Sequence, residues 1–308
     1  MDQTLIDAEP AIMTFDSGVF VFKDGITVKI NDSVQATAAD IVENAGDTID
    51  DVMATISGTP CGEWENLTKL WPYGSYRRGQ NIFGADKTAV IHTTSGRKIT
   101  FMSAAITKSP DLKLNPESSL MGGAEWTCKR KNNTPWSTAE SFYKEESAAF
   151  SDWSAFDAAS VLKVAAAAVW GALSAPWNGI ATEEGWDVSF GLNLKWVKDA
   201  AVGSVQAFHR GQTVMAKCRP LNVKMTDIQT IHEGLIQGTG ARRGKRIASG
   251  SNLVLTGEGG SPVVTLTSAA LRQPGYAFGE ERIRVDEIGF EAQRTYTTGQ
   301  PQPLYTLA

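Results

Sequence analysis

Three histidines, His92, His209 and His232, could move protons near neutral pH. They are scattered, and no two stand at the His-x-x-x-His spacing that puts two metal ligands on one helix face. His92 falls in a strand-like run and is read as structural. Cys61, Cys128 and Cys218 form no Cys-x-x-Cys pair, so neither a zinc site nor a disulfide framework is signalled. They are read as buried free thiols. Gly238-Thr239-Gly240-Ala241-Arg242-Arg243-Gly244 follows a helical pattern, and its glycines are not at Gly-x-Gly-x-x-Gly spacing. A phosphate cradle needs a strand before the loop and a helix after it, so this loop is rejected as one. There is no P-loop and no Gly-x-Ser-x-Gly elbow. Nothing assembles a nucleophile, a base and an oxyanion site. The expectation is a chain that is not an enzyme and uses no metal or cofactor.

Two charge clusters remain. Arg242, Arg243, Lys245 and Arg246 form the strongest basic one, and Arg77-Arg78-Gly79 repeats its Arg-Arg-Gly core. Arginine pairs bidentately with carboxylates, so these residues are candidates for contacts between subunits. A solvated loop would carry the same charges. The candidate partner is an acidic stretch with no Lys or Arg, containing Asp40, Glu43, Asp47, Asp50 and Asp51. These acids could equally line a surface that repels DNA. They lack the ligand and glycine spacing of a calcium loop.

The chain has 308 residues, 42% hydrophobic and 20% charged, an ordinary globular composition with room for about two domains. A net charge of −5 argues against wrapping nucleic acid by neutralising phosphates. The start Met1-Asp2-Gln3-Thr4 lacks signal-peptide features, and no apolar run reaches the ~18 residues of a membrane span. The expected compartment is a reducing cytoplasm, with no membrane partner.

An internal repeat organises the pattern. Phe101-Met102-Ser103-Ala104-Ala105-Ile106 returns as Leu266-Thr267-Ser268-Ala269-Ala270-Leu271, and Arg77-Arg78-Gly79 as Arg242-Arg243-Gly244, both at an offset of 165. Trp126 and Phe290, Arg130 and Arg294, and Pro110 and Pro274 match at 164. Trp64, Leu67 and Trp71 share one helix face, ended by Pro72-Tyr73-Gly74; Ile228, Ile231 and Leu235 repeat it, with Thr226 as N-cap and Gly238 as stop.

Strand signals fill much of the rest. Val19–Phe22 and Ile26–Ile30 flank a turn at Asp24-Gly25. Ala89–His92 and Arg97–Met102 flank Thr94-Ser95-Gly96, as Asn252–Leu255 and Pro262–Thr267 flank Gly257–Gly260. Val188 to Leu194 alternates as a half-buried strand. Ile283 and Val285, then Ile288, Phe290 and Ala292, switch parity, which predicts a β-bulge near Asp286-Glu287. Asn31–Asp47 lacks alternation and reads as a long loop. Thr138–Phe150 reads as a short helix. Residues 161–170 fit a helix by alanine propensity and a strand by the repeat; the strand reading is taken. The predicted layout is an arm over 1–14, a unit over 15–131, a linker with a short helix over 132–160, a second unit over 161–294 and an arm over 295–308.

Gly62-Glu63-Trp64-Glu65-Asn66-Leu67, Leu70-Trp71-Pro72-Tyr73, Ile91-His92-Thr93 and Phe101–Lys108 resemble the first half of the major tail (tail tube) proteins of long, non-contractile-tailed bacteriophages. Trp177–Phe190 and Leu253–Arg294 resemble the second half. The resemblance spans about Phe15 to Arg294 and rests on texture and order. It implies a mainly β chain of two tandem tail-tube-like β-sandwich or barrel domains, each with a packed α-helix. It implies a structural protein of the virion tail, assembled in the bacterial host cytoplasm. Its rings would stack into a tube that DNA traverses without specific binding, contacting the tape-measure and tail-terminator or tip proteins. Most such rings hold six tube domains, so a tandem chain predicts trimers with pseudo-sixfold symmetry. Two other readings remain: a baseplate or tail-tip ring protein of the same fold, and a β-sandwich module using some of the nine tryptophans to bind carbohydrate or a receptor.

Overall fold

Alternating side chains place most of the strands. In Ser251–Gly257, Leu253 and Leu255 point into the core, while Asn252 is exposed. In Gly18–Phe22, Phe20 and Phe22 point inward. The computed structural model describes residues 11–39, 42–115, 120–131, 142–150, 166–171, 173–199, 203–231, 251–278, 283–297 and 300–308.

The N-terminal elements are β1 (Ala11–Phe15), β2 (Gly18–Phe22), β3 (Thr27–Ala39), β4 (Val42–Gly58), β5 (Pro60–Cys61), α1 (Trp64–Leu67), β6 (Lys87–Thr93), β7 (Arg97–Lys108), β8 (Leu112–Leu114), β9 (Ala124–Lys129) and β10 (Tyr143–Ser147). Then follow β11 (Ala166–Trp170), β12 (Thr182–Asp199), β13 (Gly203–Pro220), α2 (Met225–Ile231), β14 (Ser251–Gly257), β15 (Val263–Phe278), β16 (Ile283–Glu291), β17 (Tyr296–Thr297), β18 (Gln300–Pro301) and β19 (Tyr305–Leu307). The chain is mainly β with antiparallel sheets, in keeping with a β-sandwich.

One sheet runs β3-β4-β9-β7-β6-β1-β2-β5, with β10 on β7. The other runs β11-β14-β15-β16-β13-β12-β8, with β19 on β15. Read from the hairpin end, the order β3-β4-β9-β7-β6-β1 recurs as β12-β13-β16-β15-β14-β11. Register agrees as well as order. Ile106 lies opposite Trp126, and Leu271 opposite Phe290. Ala89 lies opposite Phe101, and Leu253 opposite Leu266. In β3–β4 the ladder shifts between Ser33/Val34, leaving Asp50 as the extra residue. In β12–β13 it shifts between Asn193/Leu194, leaving Arg210 extra.

β7 and β15 hold each sheet together. β7 pairs with β6 and then, through Ser103–Lys108, with β9. β15 pairs with β14 over Val263–Leu266 and again at Ala269, and with β16 from Ala270 onward. Ser268, at φ 48, falls where the β14–β15 register shifts. Phe20 and Phe22 pack on Trp126 at 6.0 and 5.9 Å. Trp170, Trp177 and Trp186 surround Phe290 at 4.9, 6.4 and 6.1 Å. Each fully buried aromatic of this kind contributes about 1.5–3 kcal/mol from area alone.

Several expectations hold. Both predicted hairpins form, as β6–β7 and β14–β15. Val188–Leu194 lies within β12 and alternates between more and less buried positions. Pairing passes from Gly275↔Glu287 to Tyr276↔Val285, so Asp286 is the bulge residue. Residues 166–170 are a strand, while 161–165 lie outside the described residues.

Others are corrected. Asn31–Asp47 is not a loop: outside residues 40 and 41 it belongs to the β3–β4 hairpin. Hairpin hydrogen bonds join backbones, so an Ala- and Asp-rich run without alternation can still pair. Tyr143–Ser147 is a strand on β7 rather than part of a helix, with Glu145 and Glu146 meeting Arg97 and Lys98. The arm predicted over 1–14 overlaps β1, since Ala11–Phe15 pairs with both β2 and β6, and residues 1–10 lie outside the described residues. The first helix tightens into a 3₁₀ turn over Thr68–Leu70, which buries Leu70 beside Leu67 and leaves Trp64 partly exposed. Thr226 does not cap the second helix; the Asp227 carboxylate accepts the Lys224 N–H at 2.8 Å. Leu235 and Gly238 lie outside the described residues. Cys128 and Cys218 are buried, but Cys61 is only half-buried.

Candidate assembly interface

The junction between the sheets is built by two N-terminal segments gripping the β12–β13 hairpin. The first is β8. After β7, Pro110 turns the chain, and Leu112 and Leu114 alternate inward with Lys113 outward. This short strand extends the other sheet at its edge: Leu112 pairs with Val188, Lys113 with Asp187 and Leu114 with Trp186. Asp111 continues the grip, its carboxylate accepting the Phe190 N–H at 3.1 Å. At the far end the Asn115 amide donates to the Glu184 carbonyl at 2.5 Å. Gly185, at φ +82, fits because a Cβ there would come within 2.3 Å of the Leu114 carbonyl oxygen.

The second segment is Gly79–Ile82, which lies along β13. The Gly79 N–H donates to the His209 carbonyl, the His209 N–H to Gln80, and the Ile82 N–H to Ala207, at 2.8, 2.8 and 2.9 Å. Arg78 Nε donates to the Arg210 carbonyl at 2.7 Å, and Arg77 donates to the Gln300 side chain. Arg77 and Arg78 thus each make a hydrogen bond within the chain, where the first Arg-Arg-Gly copy meets the second sheet.

Aromatic rings fill the space between the segments. Trp71 packs on Phe190 at 5.5 Å, Phe190 on Tyr305 at 5.0 Å, and Phe83 on Trp196 at 5.6 Å. The Tyr305 hydroxyl donates to the Trp71 carbonyl at 3.1 Å, and Trp64 Nε1 donates to the Ala308 carbonyl at 3.0 Å. The residues expected to form a trailing arm thus lock the junction: β19 pairs with β15, and Leu304 and Tyr305 are buried. The Tyr305 hydroxyl is pushed above its usual range by burial.

A cleft of about 650 Å³ opens at this junction, lined by Tyr76, Arg77, Arg78, His209, Gln212 and Arg294 among others. His209 lies 3.3 Å through Nδ1 from the Arg77 carbonyl. Burial holds it below the ordinary imidazole range against the raising effect of the Arg77 carbonyl, and the Arg294 and Arg78 charges act with burial. A neutral imidazole among arginines adds no charge repulsion.

Of the predicted acids, Glu43, Asp47, Asp50 and Asp51 lie on β4, and Asp40 is outside the described residues. Asp47 is opposite Ala36 and Asp51 opposite Ser33 on β3. Arg242, Arg243, Lys245 and Arg246 lie outside the described residues. Sequence reasoning missed Asp111, Gly185, Phe190 and Tyr305 as junction residues; only the Leu-Lys-Leu alternation of β8 hinted at a strand there. Trp71, Trp126, Trp170, Trp177 and Trp186 are buried, which removes them from any sugar-stacking surface. Among the described residues there is no group of three or more His, Cys, Asp or Glu able to hold a metal. Among them, too, no helix is long and apolar enough to cross a membrane.

No family model matches the chain, and no curated protein matches it. Among solved structures it is aligned with a tryptophan-to-alanine mutant of HCR D/C VPI 5995, at 8% identity over 98% of both chains, with a TM-score of 0.13. A likeness of that size carries no argument.

Proposed function

We propose that this chain is a structural subunit of a bacteriophage tail tube, in which two tandem tube domains, one around each sheet, let three copies build a pseudo-sixfold ring. The observation that carries the reading is the shared strand order of the two sheets, down to the matching bulges at Asp50 and Arg210. Two like units joined edge to edge within one chain form a heterologous contact. Repeated between chains, such a contact closes into a ring or continues as a filament. Closure also removes the free sheet edges that otherwise invite aggregation.

In this reading the rings stack into a conduit for DNA. Acids on the β3–β4 hairpin keep its wall from holding phosphates. The partners are further copies of the chain, the tape-measure protein and the proteins at the two ends of the tube. The mature site is the virion tail, after assembly in the host cytoplasm. Light scattering and negative-stain images of the purified protein test it. Rings or tubes of uniform bore, with a mass per ring of three chains, are expected. A persistent monomer at high concentration overturns the reading.

A further inference from the structure

The β12 edge that receives β8 has a counterpart in the other sheet. Matching Asp50 to Arg210 aligns β4 with β13 at an offset of 160, and the ladder pairs Val28 with Ile56 as it pairs Val188 with Ala216. Val28 is therefore the counterpart of Val188, Ile30 of Phe190 and Gly25 of Gly185. Their surroundings differ sharply. Val188 is 0% exposed and Phe190 3%, whereas Val28 is 38% and Ile30 54% exposed. Gly25 repeats the left-handed conformation of Gly185, with φ +84 against +82. A Cβ at Gly185 would strike the Leu114 carbonyl, and one at Gly25 would meet nothing within 4 Å. The first sheet thus repeats the receiving edge but lacks what covers it.

The covering strand has a counterpart too. Leu112 bridges Met121 as Tyr276 pairs with Val285, both at an offset of 164. Tyr276–Phe278 at the end of β15 is therefore the counterpart of β8. Leu112-Lys113-Leu114 and Tyr276-Ala277-Phe278 share the same apolar–middle–apolar order. Tyr276–Phe278 pairs with β16 on one side, and on its other side no described strand pairs with it.

We infer that the edge at Ile26–Ile30 is filled by Tyr276–Phe278 of a second copy of this chain, antiparallel, with Tyr276 opposite Val28 and Phe278 opposite Ile26. The register is the β8–β12 register carried over by the two offsets. It rests on the reading that copies of the chain join to one another, and it names where they do so. Strand addition supplies backbone hydrogen bonds and leaves side chains to set the register.

The test uses the full chain. Val28→Lys with Ile30→Lys changes two exposed side chains, so circular dichroism and the unfolding midpoint should stay at wild-type values. Assembly should be lost, because charged residues on an edge block strand addition. Wild-type assembly with equal assembly of the double variant overturns this inference and leaves the tube reading standing. A wild type that stays a single chain at all concentrations overturns both. In a Cys61→Ser background, mixing Val28→Cys chains with Tyr276→Cys chains should give disulfide-linked dimers under mild oxidation. Assembled chains that cross-link no better at this pair than a Lys198→Cys and Tyr276→Cys pair also overturn it.

Discussion

Trp71 and Phe190 meet across the junction of the two sheets, ring centroids 5.5 Å apart and planes inclined at 52°. Both are almost wholly buried, one from the helix-ending loop and one from β12. Phe190→Ala should therefore cost about 3–5 kcal/mol, the usual range for a buried aromatic. Urea unfolding followed by tryptophan fluorescence measures it. A loss below about 1 kcal/mol would mean that the junction does not depend on this contact.

Gly185 and Gly25 give a matched comparison. Both have left-handed φ, so alanine at either carries about 1–2 kcal/mol of backbone strain. At Gly185 the new Cβ also meets the Leu114 carbonyl at 2.3 Å, and β8 must shift. Gly185→Ala should lower the unfolding midpoint more than Gly25→Ala in the unassembled chain. Equal losses would show that β8 yields freely.

The junction should weaken in acid. His209 titrates below its ordinary value because of burial, with Arg294 and Arg78 adding to the effect. The unfolded chain therefore takes up the proton first, and stability falls as pH drops through about 6.5 toward the lower folded value. Above that window the contribution is fully present. His92 is also lowered, by burial and then by Lys98, and acts with the same sign. His209→Gln should flatten part of the slope of unfolding free energy between pH 7.5 and 5.5. An unchanged slope would remove His209 as a cause.

The thiols should separate by burial. Cys128 and Cys218 are pushed far above the usual range by burial, with Glu287 adding to Cys218. Cys61 is raised less, by partial burial and then by Asp24. Because the thiolate is the reactive form, a thiol reagent at pH 8 should modify Cys61 slowly and leave the other two intact in the folded chain. All three should react in urea. Fast native labelling of Cys128 would contradict the packing around Trp126.

Local chemistry alone determined much of the strand pattern. The Ser-Ala-Ala phrases marked the two strands that hold the sheets together, and the parity switch at Asp286 marked a bulge, because side-chain alternation reports directly on which face is buried. It did not reveal the β3–β4 hairpin or the strand at Tyr143–Ser147. Their pairing comes from backbone hydrogen bonds, local within β3–β4 and to the distant β7 for Tyr143–Ser147, which leave little trace in residue type. Nor did it show that Leu112–Leu114 leaves its own sheet to extend the other one. Val28 and Val188 are the same amino acid in matching registers, yet one is exposed and the other buried. Only the tertiary arrangement distinguishes them, since burial depends on what packs against an edge and not on the residues within it.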